Sequence, residues 1–405
     1  MLTPRLLYLV SDDRYFCSHR LHLAKAALEQ GYQVAVATCC TEHSPHSTDQ
    51  ETRERSRHPS YQSIIEQQGI RIYPLRHFNR ADVNPWQQLR CLRELMHIYR
   101  DFKPDVVHHV ALKPVLLGSL IAHRCKVPKI INALGGLGYL FTEQASELSL
   151  LKKIQKKLLF SFVCKCYRWA FSHANTTVLL QNLDDKAALM QQKCVKDINN
   201  KKANNVVVIP GSGIDTKAYP FLPEPSSPPI IVCCISRMLW DKGIGELVVA
   251  SKILQSQNIP IKIRVYGTPD PDNPASIPQE TLERWDAEGW IEWRGFCDDV
   301  AKAYAECHIA VLPSYREGLP KSLLEAASCG RPIITTDVPG CREVVKEGEN
   351  GLRVPAKDAE RLAEKIGLLA ENKTLRIQMG QRGRKRMEDY FSNEVVLKDV
   401  LSLYV

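Results

Sequence analysis

No stretch of this chain approaches the ~20 consecutive apolar residues that a membrane-spanning helix needs. The first ten residues, Met1 to Val10, run straight into a strand-like segment. They lack a charged region followed by a long apolar core, so no signal peptide is expected. No Cys-x-x-Cys pair occurs among the fourteen cysteines. Cys164 and Cys166 stand too close for a zinc knuckle, and no metal site is assigned. Cysteines fall inside apparent strands (Cys233, Cys234) and helices (Cys329), which fits free thiols in a reducing cytosol. There is no repeat of fixed period and no recognised nucleic-acid motif, so nucleic acid is not an expected partner.

What is present is a long alternation of strand-like and helix-like segments. At ~150 residues per domain, 405 residues suggest two to three domains, and 44% hydrophobic residues supply two cores. The first half offers strands at 5–10, 33–38, 70–74, 105–108, 129–132, 176–180 and 206–209. The second half offers 230–236, 261–266, 291–293, 309–313, 332–335 and 351–354. Strands alternating with helices imply parallel sheets covered on both faces. Thirteen strands exceed an ordinary single sheet, so two sheets are expected. The boundary is the Pro- and Gly-rich segment from Pro210 to Pro229, which excludes helix and central strand. The expected organisation is an N-terminal domain at 1–210, a linker at 211–229 and a second domain at 230–385. A C-terminal helix at 386–405 follows, with Val395, Val396, Val400, Leu401 and Leu403 on an apolar face. The fold class is α/β, two Rossmann-like domains facing across a cleft. The polar stretch Cys40–Ser60 reads as a loop.

The net charge is +9, and residues 151–202 hold eleven basic against three acidic residues, nearly the whole surplus. Within them, Leu151, Ile154, Leu158, Phe162 and Trp169 share one helical face, and Lys152, Lys153, Lys156 and Lys157 lie roughly opposite. Two readings stand open. The helix lies on an anionic membrane surface, or its apolar face packs on the core and its lysines are solvated.

Glu317 and Glu325 sit in Ser-Tyr-Arg-Glu-Gly-Leu-Pro-Lys-Ser-Leu-Leu-Glu-Ala (314–326). The preceding residues, 308–313, read as a strand end, and 321–329 read as a helix that Gly330 closes. Pro320 suits the first helical position. One carboxylate thus lies on a strand-to-helix turn, where open α/β sheets bind ligands, and where helix-start N–H groups attract phosphate. Glu325 interrupts Leu323, Leu324, Ala326 and Ala327, which costs free energy unless something bonds to it. A sugar or ribose diol would do so; so would a nearby Lys or Arg. Arg237 and Lys242 leave the end of the strand at 230–236 and would stabilise the negative charge of a departing nucleoside diphosphate. The alternative is a surface loop with ordinary charges.

Ser236–Gly243 (SRMLWDKG), Pro313–Ala326 (PSYREGLPKSLLEA), Gly330–Val345 (GRPIITTDVPGCREVV) and Gly348–Pro355 (GENGLRVP) together resemble the donor domain of a family 4 glycosyltransferase of the GT-B fold. Cys17–Arg20 (CSHR), Val107–Pro114 (VHHVALKP), Asn132–Phe141 (NALGGLGYLF) and Gln181–Asp185 (QNLDD) extend the resemblance into the first half. They are similar to the branch that builds bacterial surface polysaccharides on lipid carriers. The resemblance implies that Arg237 and Lys242 hold the donor diphosphate and that Glu317 bonds the transferred sugar. It implies that Gly318, Leu319, Pro320 and Ser322 line the donor and that Glu325 bonds the ribose. Phe296 falls where the family contacts the base. Transfer would proceed with retention of configuration and without a metal or other cofactor.

The same resemblance puts the acceptor on the first half, near Asp12, Asp13, Ser18, His19, His108, His109, Lys113, Asn132, Gly135, Gly136 and Gly138. The two histidines also read as ordinary strand-end residues. At 11–14 the chain has Ser-Asp-Asp-Arg where many relatives carry paired glycines, and no histidine stands at 132–134; no catalytic base is assigned. Asp270, Asp272, Asp298 and Asp299 suggest a metal, but helix capping explains Asp298 and Asp299 better. The expected function is transfer of a hexose or N-acetylhexosamine from a UDP-sugar to a lipid-linked or glycan acceptor, in the cytoplasm or on the inner face of the membrane. The alternatives are a nucleotide-sugar epimerase of the same fold and an inactive scaffold.

Overall fold

The computed structural model describes the chain except residues 1–2, 41–59, 79–83, 138–140, 142–149, 196–204, 227 and 272, and except the side chains of 150–153 and 205. The chain divides into two compact units. One comprises Met1–Ser212 with Leu397–Val405, the other Gly213–Val396.

The first unit is built on seven parallel strands: β1 (Arg5–Asp12), β2 (Gln33–Cys39), β3 (Arg71–Pro74), β4 (Val106–Val110), β5 (Lys129–Leu134), β6 (Thr176–Leu180) and β7 (Asn205–Val208). Their order is β3-β2-β1-β4-β5-β6-β7. Leu6 to Val10 are wholly buried, as expected of a strand covered on both faces. On one face, Leu7, Leu9, Val107 and Ile130 pack with Cys91, Leu95, Ile98 and Phe102 of the helix Pro85–Phe102. That helix opens as its sequence dictates: Pro85 takes the first turn and the Asn84 side chain accepts from Trp86 N–H.

The second unit has six parallel strands: β8 (Ile230–Ile235), β9 (Ile261–Tyr266), β10 (Glu292–Trp293), β11 (Ile309–Leu312), β12 (Ile333–Thr336) and β13 (Gly351–Val354). The order β10-β9-β8-β11-β12-β13 repeats the winding of the first sheet. In both, the chain reverses direction of travel beside its first strand. In the second unit that switch point lies between β8 and β11, and side chains beyond their carboxyl ends converge there.

The Pro-rich segment after Gly213 is fastened to the second unit by three arginines. Arg331 donates to the Leu222 and Pro223 carbonyls at 2.8 and 3.1 Å. Arg376 makes a two-pronged pair with Glu224 at 2.6 and 3.0 Å. Arg384 donates to the carbonyls of Thr216 and Tyr219 at 3.0 and 2.7 Å. None of these partners is near in sequence, so composition alone gives the segment as a bare connector.

Near its end the chain forms the helix Asn393–Ser402. Its last residues return to the first unit. There the hydroxyl of buried Tyr404 meets Tyr8 Oη at 2.7 Å and His108 Nδ1 at 2.8 Å.

Candidate active site

Two loops are pressed together at the β8/β11 switch point. Gly243 has φ +72°, and a Cβ there would lie 2.1 Å from the Pro313 carbonyl oxygen. Only glycine permits that approach. Tyr315 N–H then donates to the Asp241 carbonyl at 2.9 Å, joining the loop after β8 to the loop after β11. The result is Lys242 Nζ 2.5 Å from Glu317 Oε1, with side chains 17% and 12% exposed. Ser314 Oγ, fully buried, donates to the same oxygen at 2.7 Å. From the other side, Gly340 has φ +77°, and a Cβ there would lie 2.4 Å from the Gly318 carbonyl oxygen. The loop from Pro313 to Gly318 is therefore held at its start by the Gly243 contact and at its end by the Gly340 contact, and the Glu317 carboxylate lies beside a cation.

Arg237, also past the end of β8, pairs with Asp270 at 2.7 Å. Phe296 is exposed. Gly318 and Leu319 lead into the helix Lys321–Ser328, with Pro320 as its extended capping residue rather than its first helical one. Ser322 lies in the first turn, and its carbonyl accepts from Tyr304 Oη at 2.8 Å. Gly330 ends the helix with φ +76°.

Glu325 is buried on the second turn of that helix. Tyr219 Oη donates to Oε1 at 2.9 Å, and Lys321 Nζ lies 3.6 Å away. Burial raises the carboxyl pKa, against the opposing influence of Lys321 and the tyrosine hydroxyl. Of the two sequence readings of this glutamate, the structure shows the nearby lysine, joined by a tyrosine.

Among the described residues no group of three or more His, Cys, Asp or Glu side chains converges as a metal site. Asp272 is outside the described residues. Asp299 caps the helix Val300–Ala305 through Lys302 N–H at 2.9 Å.

The first unit treats its nominated residues unequally. Asp12 caps the short helix Asp13–His19 by accepting from Tyr15 N–H at 2.7 Å. Asp13 is buried and accepts from Arg14 N–H at 2.9 Å. Ser18 Oγ and His19 Nδ1 are 2.7 Å apart, and the His19 ring stacks on Tyr15. Lys113 Nζ stands 5.0 Å from the Phe78 ring centroid. Gly135 lies near the side chains of Gln181 and Tyr15, and Gly136 has φ +125°. Gly138 is outside the described residues.

His109 and Asn132 belong to the interior, which corrects their assignment to an acceptor surface. Both are fully buried. His109 Nδ1 meets Asn132 Oδ1 at 2.8 Å, which puts the proton on Nδ1. Nε2 therefore accepts from Tyr99 Oη at 2.7 Å. Burial pushes His109 down to about 4, so it is neutral and structural at pH 7. His108, on the opposite face of the strand, is also fully buried. It stacks on Tyr8 and bonds to Tyr404.

The basic helix, Leu150–Phe171, is apolar on two sides. Val163, Cys164, Tyr167, Ala170 and Phe171 pack into the core. At 100° per residue, Ile154, Leu158, Phe162 and Trp169 lie on the other side. They are 47, 67, 63 and 43% exposed. The apolar face read from the sequence is thus not the one that packs, because a second stripe farther along the helix takes the core. Lys157, Lys165 and Arg168 are exposed beside it. The side chains of Lys152 and Lys153 are outside the described residues; Lys156 is half-buried.

Two doubly wound, parallel-sheet α/β domains are the architecture of the GT-B fold. The model "Glycosyl transferase 4-like" matches residues 5–182 and "Glycosyl transferases group 1" matches residues 215–386. The chain belongs to the family 4 glycosyltransferases and is a glycosyltransferase. One relative is the N,N'-diacetylbacillosaminyl-diphospho-undecaprenol alpha-1,3-N-acetylgalactosaminyltransferase of Campylobacter jejuni, 27% identical across 81% of this chain and 84% of the relative. Another is the capsular polysaccharide biosynthesis glycosyltransferase CapM of Staphylococcus aureus, 25% identical across 80% and 83%. Among solved structures, sucrose-phosphate synthase from Thermosynechococcus elongatus superposes with TM-score 0.74 at 19% identity over 99% of this chain and 98% of that one. Anabaena HepE in complex with UDP and glucose superposes with TM-score 0.71 at 14% identity over 99% of each. The structural likenesses establish the fold.

Three participants in the site escaped the sequence reading. Ser314 was inside the quoted motif but carries no pattern of its own. Asp270 was read only as a candidate metal ligand. Tyr219 is 106 positions from Glu325, and no local spacing links them.

Proposed function

We propose that the chain transfers a hexose or N-acetylhexosamine, with retention, from a UDP-sugar to a lipid-linked acceptor in bacterial surface polysaccharide assembly. The observation that carries the reading is the Lys242–Glu317–Ser314 cluster at the switch point. Lys242 and Arg237 supply two positive charges for the nucleotide's phosphates, so the departing diphosphate is stabilised without requiring a metal. Glu317 bonds hydroxyls of the sugar and exchanges its contact with Lys242 for them. The bond from the anomeric carbon to the β-phosphate oxygen breaks, and the acceptor hydroxyl oxygen bonds to that carbon on the same face. The departing phosphate takes the hydroxyl proton, so no protein base is needed. The named activity of the Campylobacter relative supports a diphospho-lipid acceptor, and the UDP held by HepE supports the base.

A screen of the purified protein against nucleotide sugars tests the donor. UDP-sugars should raise its melting temperature at saturation. Turnover on an undecaprenyl-diphosphate-linked acceptor should survive EDTA. Stabilisation by GDP- or ADP-sugars alone would refute the base; loss of turnover in EDTA would refute metal independence.

An acceptor of this kind would be met at the cytoplasmic face of a membrane, and the exposed stripe on the helix Leu150–Phe171 is suited to that surface. Ile154, Leu158, Phe162 and Trp169 offer apolar side chains to the headgroup boundary while Lys157, Lys165 and Arg168 meet anionic lipid. Among the described residues no helix is long and apolar enough to cross a membrane. Replacing the four apolar residues with serine should abolish binding to phosphatidylglycerol vesicles. Wild-type binding should weaken with salt. Equal binding by the variant would exclude this helix.

A further inference from the structure

We infer that Tyr219 is a positioning residue for the donor nucleotide: its hydroxyl fixes the Glu325 carboxylate in the orientation that receives the ribose diol. The inference rests on the donor site proposed above, with Glu325 in the ribose-binding role that the family resemblance implies, and gives Tyr219 a part in that site.

The tyrosine is itself rigidly placed. Asp215 Oδ1 accepts from the N–H groups of Lys217 and Ala218 at 2.9 and 3.1 Å, and Tyr219 N–H closes the turn on the Asp215 carbonyl at 3.1 Å. The Tyr219 carbonyl is then gripped twice. Ser328 Oγ and Arg384 Nη1 each donate to it at 2.7 Å. Ser328 ends the helix that carries Glu325, so the two side chains share one scaffold. From this scaffold Tyr219 Oη reaches Glu325 Oε1 at 2.9 Å.

A buried carboxylate accepts from both hydroxyls of a diol when it is ionised and its plane is fixed. Burial opposes ionisation, and a donated hydrogen bond opposes that effect. Lys321 contributes charge at 3.6 Å but on a longer, more flexible side chain. The phenol therefore supplies the direction that the lysine does not. A phenylalanine would fill the same space and lose only this bond.

The test compares UDP with 2′-deoxy-UDP by calorimetry on full-length protein. A hydrogen bond to a charged group distinguishes the two ligands by about 10- to 100-fold. Wild type should show that preference, and Glu325→Gln should reduce it to within about threefold. Tyr219→Phe should also bring the ratio to within about threefold, with a melting temperature close to wild type. A merely structural tyrosine would lower stability and weaken both ligands equally, leaving the ratio intact. That result overturns the inference while Glu325→Gln still upholds the ribose site. An unchanged ratio in Glu325→Gln, or no UDP binding by wild type, overturns the donor-site reading itself and this inference with it.

Discussion

Replacing Lys242 with methionine separates two roles for that cation. The ammonium lies 2.5 Å from Glu317 Oε1 in a niche where both side chains are under one-fifth exposed. At an effective dielectric of about 20, unit charges 4 Å apart interact by about 4 kcal/mol. Part of this is lost to desolvation, and hydrogen bonds to charged groups net about 1.5–3 kcal/mol. Lys242→Met should therefore weaken UDP binding about 10- to 100-fold. Its kcat should fall by about 100- to 1000-fold, because charge on the departing phosphate grows in the transition state. Glu317→Gln frees the lysine of its ion-pair partner. It should leave UDP affinity within about threefold while cutting kcat by about 100-fold or more, because the sugar loses an acceptor. The double variant is decisive. If Lys242 serves mainly to neutralise Glu317, removing both restores UDP affinity. If it holds phosphate, the double variant binds UDP as poorly as Lys242→Met. Calorimetry with UDP and initial rates with the sugar nucleotide read both quantities; restored affinity would refute the phosphate role.

Two further predictions concern the first unit. Tyr404→Phe removes a hydroxyl bonded to Tyr8 and His108 and leaves two buried polar atoms without that partner. It should cost about 2–4 kcal/mol, measured by denaturation of the full chain; a loss below about 0.5 kcal/mol would exclude the network as an anchor. His109 is held at about 4 by burial, below its ordinary value of 6.5. A buried base with a depressed pKa stabilises the fold above the unfolded-state value. That contribution, about 3 kcal/mol, is lost as pH falls from about 6.5 towards 4. The melting temperature should decline across this window, and a flat profile would contradict the assignment of a neutral, enclosed imidazole.

Much of this protein was legible in one dimension. The central strands, such as β1, β4, β8 and β11, were marked by short apolar runs, because a strand buried on both faces must be apolar throughout. The edge strands β3 and β10 are only partly buried and were marked by their place between helix-like segments. The Glu317–Glu325 spacing and the cations after β8 were visible because each lies on one local element. The roles of the residues were not equally legible. His108 and His109 read either as acceptor-side residues or as ordinary strand-end histidines, and adjacent strand residues point to opposite faces. One of them enters a Tyr99–Asn132 network, and the other meets a tyrosine 296 positions away. The helix at 150–171 showed its apolar residues but not which of two stripes the core would take, since periodicity gives a face and never its neighbour.

The sequence by itself determined the order of the strands, the doubly wound class and which charged residues stand at the β8/β11 edge. These depend on side-chain periodicity and on turn chemistry within a few residues. Only the tertiary structure decided that Gly243 and Gly340 clamp the Glu317 loop, that Ser314 and Lys242 share one carboxylate oxygen, and that Tyr219 reaches Glu325. It also turned His109 into core and left Ile154, Leu158, Phe162 and Trp169 outside it. The physical reason is the same in each case. Hydrogen bonds and burial depend on distances of a few ångströms between residues far apart in the chain, and no local pattern encodes those distances.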